Sequence, residues 1–462
     1  MRRRIQITLF TVYCLLFTVT CAQVNSDSLI SVYTKKVQKY LDKENKASEV
    51  FSFTKDGIEV YAPATDTSQK KLEFIVYWDI YWNDTVNFPV SGPGDIIENY
   101  FTHPYAPFDW KNFARRCKIE YEARNSGGRL IAPFYSLVYA GPKIMHGNGK
   151  WMDGYKIALD PGHIGGDIET AKMEKKWVEM KVNPAKGIKE PIQLIEGDLT
   201  LATAKILKQK LESEGADVML TRKEPGKSAF GITYEKWKDS LFLRSVDSAF
   251  ARRDVSFEEK NFLLTKANDI EIFRRFFLQE EMRERAKKIN EFHPDITLII
   301  HFNADETNQN WNKPTKKDFN MAFVGGSFGA DELDKPEARI DFLRLLLTDD
   351  IERSIDFSKY MVESLAQKTN VPAALDSNAV YLKDNCISTG TNGVFCRNLA
   401  LTRMVKGTLC YGESLYQDNI NECKALSKKE IKIDGIETSK RVEEVAEAYF
   451  QGIINFVKNK NK

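Results

Sequence analysis

The architecture of this chain follows from one segment, Tyr155-Lys-Ile-Ala-Leu-Asp-Pro-Gly-His-Ile-Gly-Gly-Asp167. Its apolar half predicts a short buried strand, and Pro161 ends that strand because proline cannot donate to a sheet ladder. The glycines that follow allow a tight turn. His163 is therefore predicted to lie at the carboxyl end of a strand, which is the edge where open α/β sheets bind their ligands.

Three further segments place polar side chains at the ends of predicted elements. Glu196 opens an amphipathic run whose apolar residues recur at helical spacing, and Gly215 supplies a stop signal after it. His301 and Glu413 each follow a short apolar run that predicts a strand. Two histidines and two glutamates in such positions are the residue types of a catalytic zinc site that also has a free carboxylate as base.

These segments resemble the zinc-dependent N-acetylmuramoyl-L-alanine amidases, which cut the amide between the lactyl group and the peptide of peptidoglycan. The resemblance begins at Tyr155 and lies in four ordered blocks, which are Leu159 to Asp167, Glu196 to Arg222, Arg285 to Ala304, and Leu409 to Glu422. It implies that His163, Glu196 and His301 hold Zn²⁺. It also implies that Glu413 is the general base toward the water and the proton donor to the leaving amine.

The chain departs from the family pattern around the second ligand. Ile164 stands where the family usually has glycine, and 33 positions (196 − 163) separate His163 from Glu196, more than the family norm. Glu174 is followed by a lysine, as the family's second ligand often is, and is therefore a rival to Glu196. Glu196 is preferred because it alone precedes the long amphipathic helix, although Gly197 stands where the lysine is expected.

Several other residues of the four blocks are expected to support the site. Asp167 and Asn303 are candidates for orienting a ligand through hydrogen bonds. Arg222, Arg285 and Asp295 are expected to hold the scaffold through ion pairs and hydrogen bonds. His103 and His146 lie in predicted loops and lack the spacing of metal ligands.

The predicted fold is α/β, with a twisted, mostly parallel sheet flanked by helices and a small β-rich N-terminal domain. Alternating strand and helix patterns from Tyr155 to Leu220 support it. The predicted organisation is a signal peptide over 1–22, a β-rich domain of unknown role over 23–150, and a zinc amidase domain over 151–462. The net charge is +2 in 462 residues, with no basic block beyond the N-terminal arginines, which excludes nucleic acid as a partner.

The first 22 residues have the pattern of an export signal. Three arginines precede an apolar run from Ile5 to Val19, and small residues follow at the expected cleavage site. The run falls short of the roughly 20 residues that span a bilayer, so no integral membrane span is expected after cleavage. Alternatively, Cys21 could be a lipidated cysteine that anchors the exported protein. The expected location is periplasmic or secreted.

Cysteine and aromatic residues leave two alternatives open. Five cysteines remain after cleavage, and Cys386 and Cys396 could close a short loop as a disulfide. In the N-terminal domain, an aromatic run could form a sugar-stacking surface or pack a small β-core. That run contains Tyr77, Trp78, Tyr81 and Trp82.

Two long insertions interrupt the amidase pattern, at about 223–284 and 306–385. The first is aromatic and helix-like, and we weigh two roles for it, a lid over the site and an extra packed layer. A lid predicts that a Gly/Ser replacement raises basal hydrolysis. Peptidoglycan is the expected partner, together with a possible activator protein. Two other functions stay open, a zinc peptidase or amide hydrolase on another cell-surface substrate and a catalytically inactive wall-binding protein.

Overall fold

The computed structural model describes residues 26–62, 70–78, 117–118, 121–125, 150–252, 254–308 and 313–460. The predicted signal peptide, Cys21, Tyr81, Trp82, His103 and His146 lie outside the described residues. Within the described ranges, no helix combines the length and the apolar character needed to cross a membrane.

The N-terminal region is a helix followed by a small sheet. Helix α1 (Ser26–Lys36) continues into a π-helical turn, and three antiparallel strands follow in the order β1-β2-β3. The strands are β1 (Phe51–Phe53), β2 (Gly57–Ala62) and β3 (Lys71–Tyr77). The predicted β-rich N-terminal region is confirmed. Tyr77 and Trp78 are buried, which favours packing over sugar stacking for these two residues.

Seven strands form the main sheet, in the order β10-β11-β9-β12-β8-β4-β7. They are β4 (Lys156–Pro161), β7 (Asp217–Leu220), β8 (Ile296–Asn303), β9 (Met321–Val324), β10 (Cys386–Thr391), β11 (Val394–Arg397) and β12 (Leu409–Tyr416). Four of the six pairings are parallel and two are antiparallel. The predicted mostly parallel sheet is confirmed.

Two hairpins lie outside that sheet. One pairs β5 (Trp177–Met180) with β6 (Ile192–Ile195), and the other pairs β13 (Ile431–Ile433) with β14 (Ile436–Thr438). The first hairpin falls between the blocks of His163 and Glu196. Its residues, 177–195, make up more than half of the separation between these two residues in the sequence.

Besides helical residues at 117–118 and 121–125, twelve helices follow α1 in the described residues. They are α2 (Ile168–Glu174), α3 (Glu196–Ser213), α4 (Tyr234–Ala251), α5 (Phe257–Thr265), α6 (Asp269–Ile272), α7 (Leu278–Phe292), α8 (Ala330–Leu333), α9 (Pro336–Leu347), α10 (Asp350–Thr369), α11 (Ala400–Met404), α12 (Ile420–Leu426) and α13 (Lys440–Lys460). A π-helical turn, Phe273–Phe277, joins α6 to α7. The helix predicted to open at Glu196 is α3.

The side chains of β4 show how the two faces of the sheet are covered. Ile157 and Leu159 are buried in the large core that also contains side chains of α3, α10 and α13. Ala158 points the other way and packs with Ala286 and Ile289 of α7. Because successive side chains of a strand alternate between faces and both faces are covered here, Ile157, Ala158 and Leu159 are all apolar.

The two predicted insertions differ in structure. Residues 223–284, the helical insertion, contain α4 to α6 and form a core of their own. Residues 306–385, the second segment, contain β9 and α8 to α10 and belong to the main core. The N-terminal region joins the second segment, where the backbone N–H groups of Ser327 and Phe328 donate to the carbonyl oxygens of Tyr40 and Leu41.

The cysteines of the described residues carry free thiols. Cys386 and Cys396 lie on the adjacent strands β10 and β11 and are both buried, but they are not bonded to each other. The disulfide considered between them is therefore wrong for this structure. Burial raises the pKa of Cys410 to about 12, in keeping with an inert core thiol.

Candidate functional site

Three strands bring the predicted site residues to one edge of the sheet. In the parallel pairing of β8 with β12, His301 stands opposite Glu413. In the parallel pairing of β4 with β8, Pro161 stands opposite Ile300, so that His163 follows β4 next to the end of β8. Parallel strands end at the same edge of a sheet, and this register therefore assembles residues that lie 250 positions apart (413 − 163).

The turn after β4 has two backbone requirements that explain its residues. A Cβ atom at Gly162 would lie 2.2 Å from the nearest ring atom of His301, so only glycine leaves room for that ring. His163 has a φ of +58°, in the left-handed region that non-glycine residues seldom adopt. Such backbone strain is typical of functional sites, where the surrounding structure holds it in place.

His163, Glu196 and His301 form a cluster of potential metal donors. Their donor atoms all lie within 4.8 Å of one another. Glu196 Oε1 is 3.0 Å from His301 Nδ1 and 3.3 Å from His163 Nε2. Glu196 lies at the first turn of α3, so the sequence pattern that predicted the helix start also located this carboxylate.

The cluster fits a divalent metal ion. His163 Nε2 is buried and has no hydrogen-bond partner, although Glu196 Oε1 lies near it. On the other side of the ring, His163 Nδ1 lies 3.1 Å from Glu174 Oε1. With the ring proton on Nδ1, Nε2 presents its lone pair to the cluster. Two imidazoles and one carboxylate are a donor set typical of catalytic zinc.

Burial and neighbouring charges shift the pKa values of both histidines. Burial lowers the pKa of His301 to about 4, which keeps this imidazole neutral near pH 7. Burial would also lower the pKa of His163, but the negative charges of Glu196 and Glu174 raise it to about 9. A proton and a metal ion would therefore compete for His163.

Glu196 is fixed by several contacts. It is almost fully buried, at 1% exposure, and accepts hydrogen bonds from the backbone N–H of Phe302 and from Gln417 Nε2. Lys176 Nζ lies 3.9 Å from its second oxygen. Burial alone would raise the pKa of Glu196, but the positive charges of His163 and Lys176 hold it well below the ordinary value.

Glu174, the rival second ligand, lies outside the donor cluster. It contacts His163 on the Nδ1 side and accepts a hydrogen bond from the backbone N–H of Ile164. The structure thus places Glu196 between the two histidines and Glu174 behind one of them. Glu174 is the last residue of α2. Its contact with His163 therefore depends on how the chain between His163 and Glu196 folds.

Lys176 and Gln417 are site residues that sequence reasoning missed. Lys176 follows α2 and reaches Glu196 from outside the four blocks. A Cβ atom at Gly197 would lie 2.4 Å from the backbone nitrogen of Gly165, so the family's lysine has no room at that position. Gly197 stands where the family usually has a lysine after the second ligand. That substitution was the one sequence signal that another part of the chain supplies the positive charge next to Glu196.

Glu413 lies beside the donor cluster and is not part of it. Burial and the charge of Glu196 raise its pKa to about 7. Tyr411, two residues earlier on the same face of β12, stacks on the His301 ring with the centroids 4.5 Å apart. A register shift after Ser414 and a φ of +52° at Leu415 end the regular pairing just beyond Glu413.

Three of the supporting residues contact the scaffold as expected. Arg285 donates to the carbonyl oxygens of Pro161 and His163 and pairs with Asp160 and Glu281.

Arg222 donates to the carbonyl oxygens of Pro161 and Gly162, and an Asp295 oxygen accepts the backbone N–H of Lys156. The Arg222 contacts hold the turn that carries His163, and the Asp295 contact holds the start of β4.

The expectation for Asp167 and Asn303 is wrong in this structure. Asp167 caps α2, accepting hydrogen bonds from the backbone N–H and the hydroxyl of Thr170. Asn303 Oδ1 accepts the backbone N–H of Ala304, and its amide nitrogen contacts Met321. Both residues therefore shape loops next to the cluster, and Glu174 has the ligand contact that Asp167 was expected to make.

Comparison with solved structures finds several amidases. The CwlD amidase of Clostridioides difficile, solved in complex with the GerS lipoprotein, is 18% identical, covers 66% of this chain and 99% of its own, and has a TM-score of 0.35. Ami1 of Mycobacterium smegmatis is 14% identical, with 67% and 99% covered and a TM-score of 0.35. No curated protein matches the chain.

The family assignment rests on a match to the whole catalytic region. The family model described as N-acetylmuramoyl-L-alanine amidase matches residues 157–455. This match begins in β4, ends in α13 and includes every residue of the donor cluster as well as Glu413. The chain belongs to the N-acetylmuramoyl-L-alanine amidase family.

Proposed function

We propose that this protein is an exported zinc hydrolase that cleaves the amide bond between N-acetylmuramic acid and L-alanine in peptidoglycan. The observation that carries the proposal is the buried cluster of His163, Glu196 and His301 with the separate carboxyl group of Glu413 beside it. Membership of the amidase family supplies the substrate class.

In this proposal His163, Glu196 and His301 hold Zn²⁺. The bound ion would lower the pKa of a water molecule and polarise the scissile carbonyl. Two imidazoles and one carboxylate leave room for a water molecule in a four-coordinate site. The stacked ring of Tyr411 and the hydrogen bond from Gln417 fix the orientation of two of these ligands.

Glu413 is proposed as the proton-transfer group. It accepts a proton from the attacking water and returns it to the leaving amine, so that no free charge builds up on the nitrogen. Its place opposite His301 in the sheet register supports a role beside the cluster rather than as a ligand. A carboxyl group that is buried near another carboxylate holds a proton more readily than an exposed one.

Export and partners also belong to the proposal. The charged and apolar pattern of residues 1–22 supports export to the periplasm or beyond, with Cys21 as an alternative lipid attachment point. Peptidoglycan is the proposed partner. An activator protein is compatible with the proposal and is not required by it.

The test combines zinc analysis with identification of the products. Purified protein should contain about one zinc per chain and release L-alanine-terminated peptides from peptidoglycan. His163→Ala and His301→Ala should lose both zinc and activity, because each removes one of three ligands. Glu413→Gln should keep zinc and lose at least about a hundredfold in activity. Glu179→Gln, an exposed acid on β5, is the matched control.

Different failures point to different alternatives. Full activity in verified zinc-free protein would contradict the metal site. Zinc-loaded protein that hydrolyses another amide but not peptidoglycan would favour the other cell-surface substrate. Folded, zinc-loaded protein without any hydrolysis would favour the inactive wall-binding protein.

A further inference from the structure

Two carboxylates contact the His163 ring, one at each nitrogen. Glu196 Oε1 lies 3.3 Å from Nε2, and Glu174 Oε1 lies 3.1 Å from Nδ1. The Glu174 side chain is only 5% exposed, and its second oxygen accepts the backbone N–H of Ile164 at 3.1 Å. Glu174 therefore holds both the ring of His163 and the backbone that follows it.

The contact of Glu174 with His163 Nδ1 affects where the imidazole carries its proton. A carboxylate at Nδ1 favours the neutral tautomer with its proton on Nδ1, which leaves the Nε2 lone pair free. Nε2 is the buried atom that has no hydrogen-bond partner. A ring held in this way pays less orientational entropy when it binds an ion.

The helix that carries Glu174 is itself held by the helical insertion. Arg274 donates from Nε to the carbonyl oxygen of Met173 at 2.7 Å and from a terminal nitrogen to that of Lys172 at 3.1 Å. These carbonyl groups belong to the last turn of α2, and that of Lys172 also accepts the backbone N–H of Lys175 at 3.2 Å. An insertion side chain thus satisfies the helix end next to Glu174.

The insertion also packs against the His163 loop. Ile164 is 1% exposed and lies in a cluster with aromatic side chains of the insertion, with Met173 of α2 packed against it. The aromatic members are Tyr234, Trp237, Phe242, Phe273, Phe276 and Phe277. A glycine at position 164 would make no such contact. Ile164, which departs from the family pattern, therefore joins the His163 loop to the helical insertion.

We propose that Glu174 is a positioning residue for His163, and that the helical insertion holds it in place. The proposal rests on the proposed function, in which His163 is a metal ligand. It gives the extra length between His163 and Glu196 a purpose, because that segment supplies the carboxylate behind the first ligand. It also gives the helical insertion a role as support for the site.

The experiment measures metal binding in the full chain. Zinc dissociation constants from chelator competition are compared for wild type, Glu174→Ala, Glu174→Gln and the exposed control Glu179→Gln. Loss of a carboxylate behind a histidine ligand typically weakens metal binding about 10- to 100-fold, and this is expected for Glu174→Ala. Glu174→Gln should lie between Ala and wild type, because its amide oxygen can still accept the Nδ1 proton.

A second readout separates positioning from general stability. The visible spectrum of the Co²⁺-substituted protein reports the ligand geometry, and it should change for Glu174→Ala and stay near wild type for Glu179→Gln. Thermal unfolding of the metal-free variants shows whether each one is folded. If Glu174→Ala does not fold, Glu174→Gln decides by the same two readouts.

The outcomes distinguish this proposal from the proposed function. If His163→Ala loses zinc while the folded Glu174 variants keep the wild-type dissociation constant and Co²⁺ spectrum, the positioning role is overturned and the metal site stands. If His163→Ala keeps its zinc, the ligand assignment itself fails. Graded loss from Gln to Ala, with a changed spectrum and an unaffected control, supports the positioning role.

Discussion

The helical insertion and the second segment join the rest of the molecule in opposite ways. The insertion packs its aromatic side chains mainly against one another, in a cluster that also includes Ile164 and contacts Met173. The second segment contributes β9 to the middle of the main sheet and packs its helices into the main core. One region is attached to the core, and the other is a part of it.

Length and charge therefore say little about whether a segment can be removed. Both regions are charged, rich in helix-forming residues and of similar size in the sequence. What separates them is the identity of the partners that bury their apolar side chains. A region whose large side chains contact each other can unfold locally, whereas one whose side chains fill the main core cannot.

The largest expected effect contrasts one buried aromatic residue from each region. Phe342 of the second segment is fully buried and stacks on Phe51 with the ring centroids 4.6 Å apart. Phe342→Ala should lower the free energy of unfolding of the whole chain by about 3–5 kcal/mol. Trp237→Ala, equally buried in the insertion, should loosen that region while leaving the main transition nearly unchanged.

Chemical denaturation followed by circular dichroism measures the main transition, and hydrogen exchange locates the loosened region. If Trp237→Ala lowers the main transition as much as Phe342→Ala does, the insertion is as much a part of the core as the second segment. The two regions would then not differ in how they are attached to the core.

The next effect concerns replacing residues 234–277 with a Gly/Ser linker. This change keeps α7 and its Arg285, but it removes Arg274 and the aromatic side chains around Ile164. A supporting insertion predicts a folded core with zinc binding weakened about tenfold or more and no gain in basal hydrolysis. Zinc competition and dye release from labelled peptidoglycan measure the two quantities.

A lid predicts the reverse result, faster basal hydrolysis with unchanged zinc affinity. The linker variant therefore decides between the two roles that the sequence left open. A variant that fails to fold would show that the insertion belongs to the core after all, against the comparison.

The smallest expected effect is a pH dependence at Asp305, which directly precedes the second segment and accepts hydrogen bonds from it. Burial would raise the pKa of Asp305, but hydrogen bonds from Thr315, Thr307 and Lys317 lower it to about 2. The stabilisation is therefore present above the unfolded pKa of 3.8 and is lost as the pH falls toward 2.

Because solvent screens part of this network, we expect Asp305 to contribute about 1 kcal/mol or less to the free energy of unfolding. The measurement is the free energy of unfolding at pH 5 and pH 3 for wild type and Asp305→Asn. The difference in free energy of unfolding between the two proteins should be smaller at pH 3 than at pH 5, because part of the stabilisation is lost below pH 3.8. Parallel profiles would show that Asp305 contributes nothing specific to the second segment.

The edge of the sheet could be predicted from the sequence because local rules determine it. Pro161 must end a strand, the apolar spacing after Glu196 must form a helix, and the run before His301 must be buried. These signals need no knowledge of distant residues. They predicted the element ends at which the two histidines and Glu196 lie, and the structure brings these three residues together.

The remaining features depend on contacts between distant parts of the chain. Glu174 reaches His163 only because Asp167 caps α2 and Arg274 of the insertion holds its other end. Strand β9 has four residues, too few for a periodic signal, and is defined by its neighbours β11 and β12. The sequence pattern alone could not reveal such tertiary contacts.

The close approach of Gly165 and Gly197 has a consequence for how this chain tolerates changes in length. A Cβ atom on Gly197 would lie 2.4 Å from Gly165 N, so the two backbones touch and pin together the ends of residues 168–195. The segment is thus a closed loop, and lengthening such a loop costs little, roughly 0.6 kcal/mol for each doubling. Residues can therefore be added or removed in the β5–β6 hairpin while His163 and Glu196 keep their spacing.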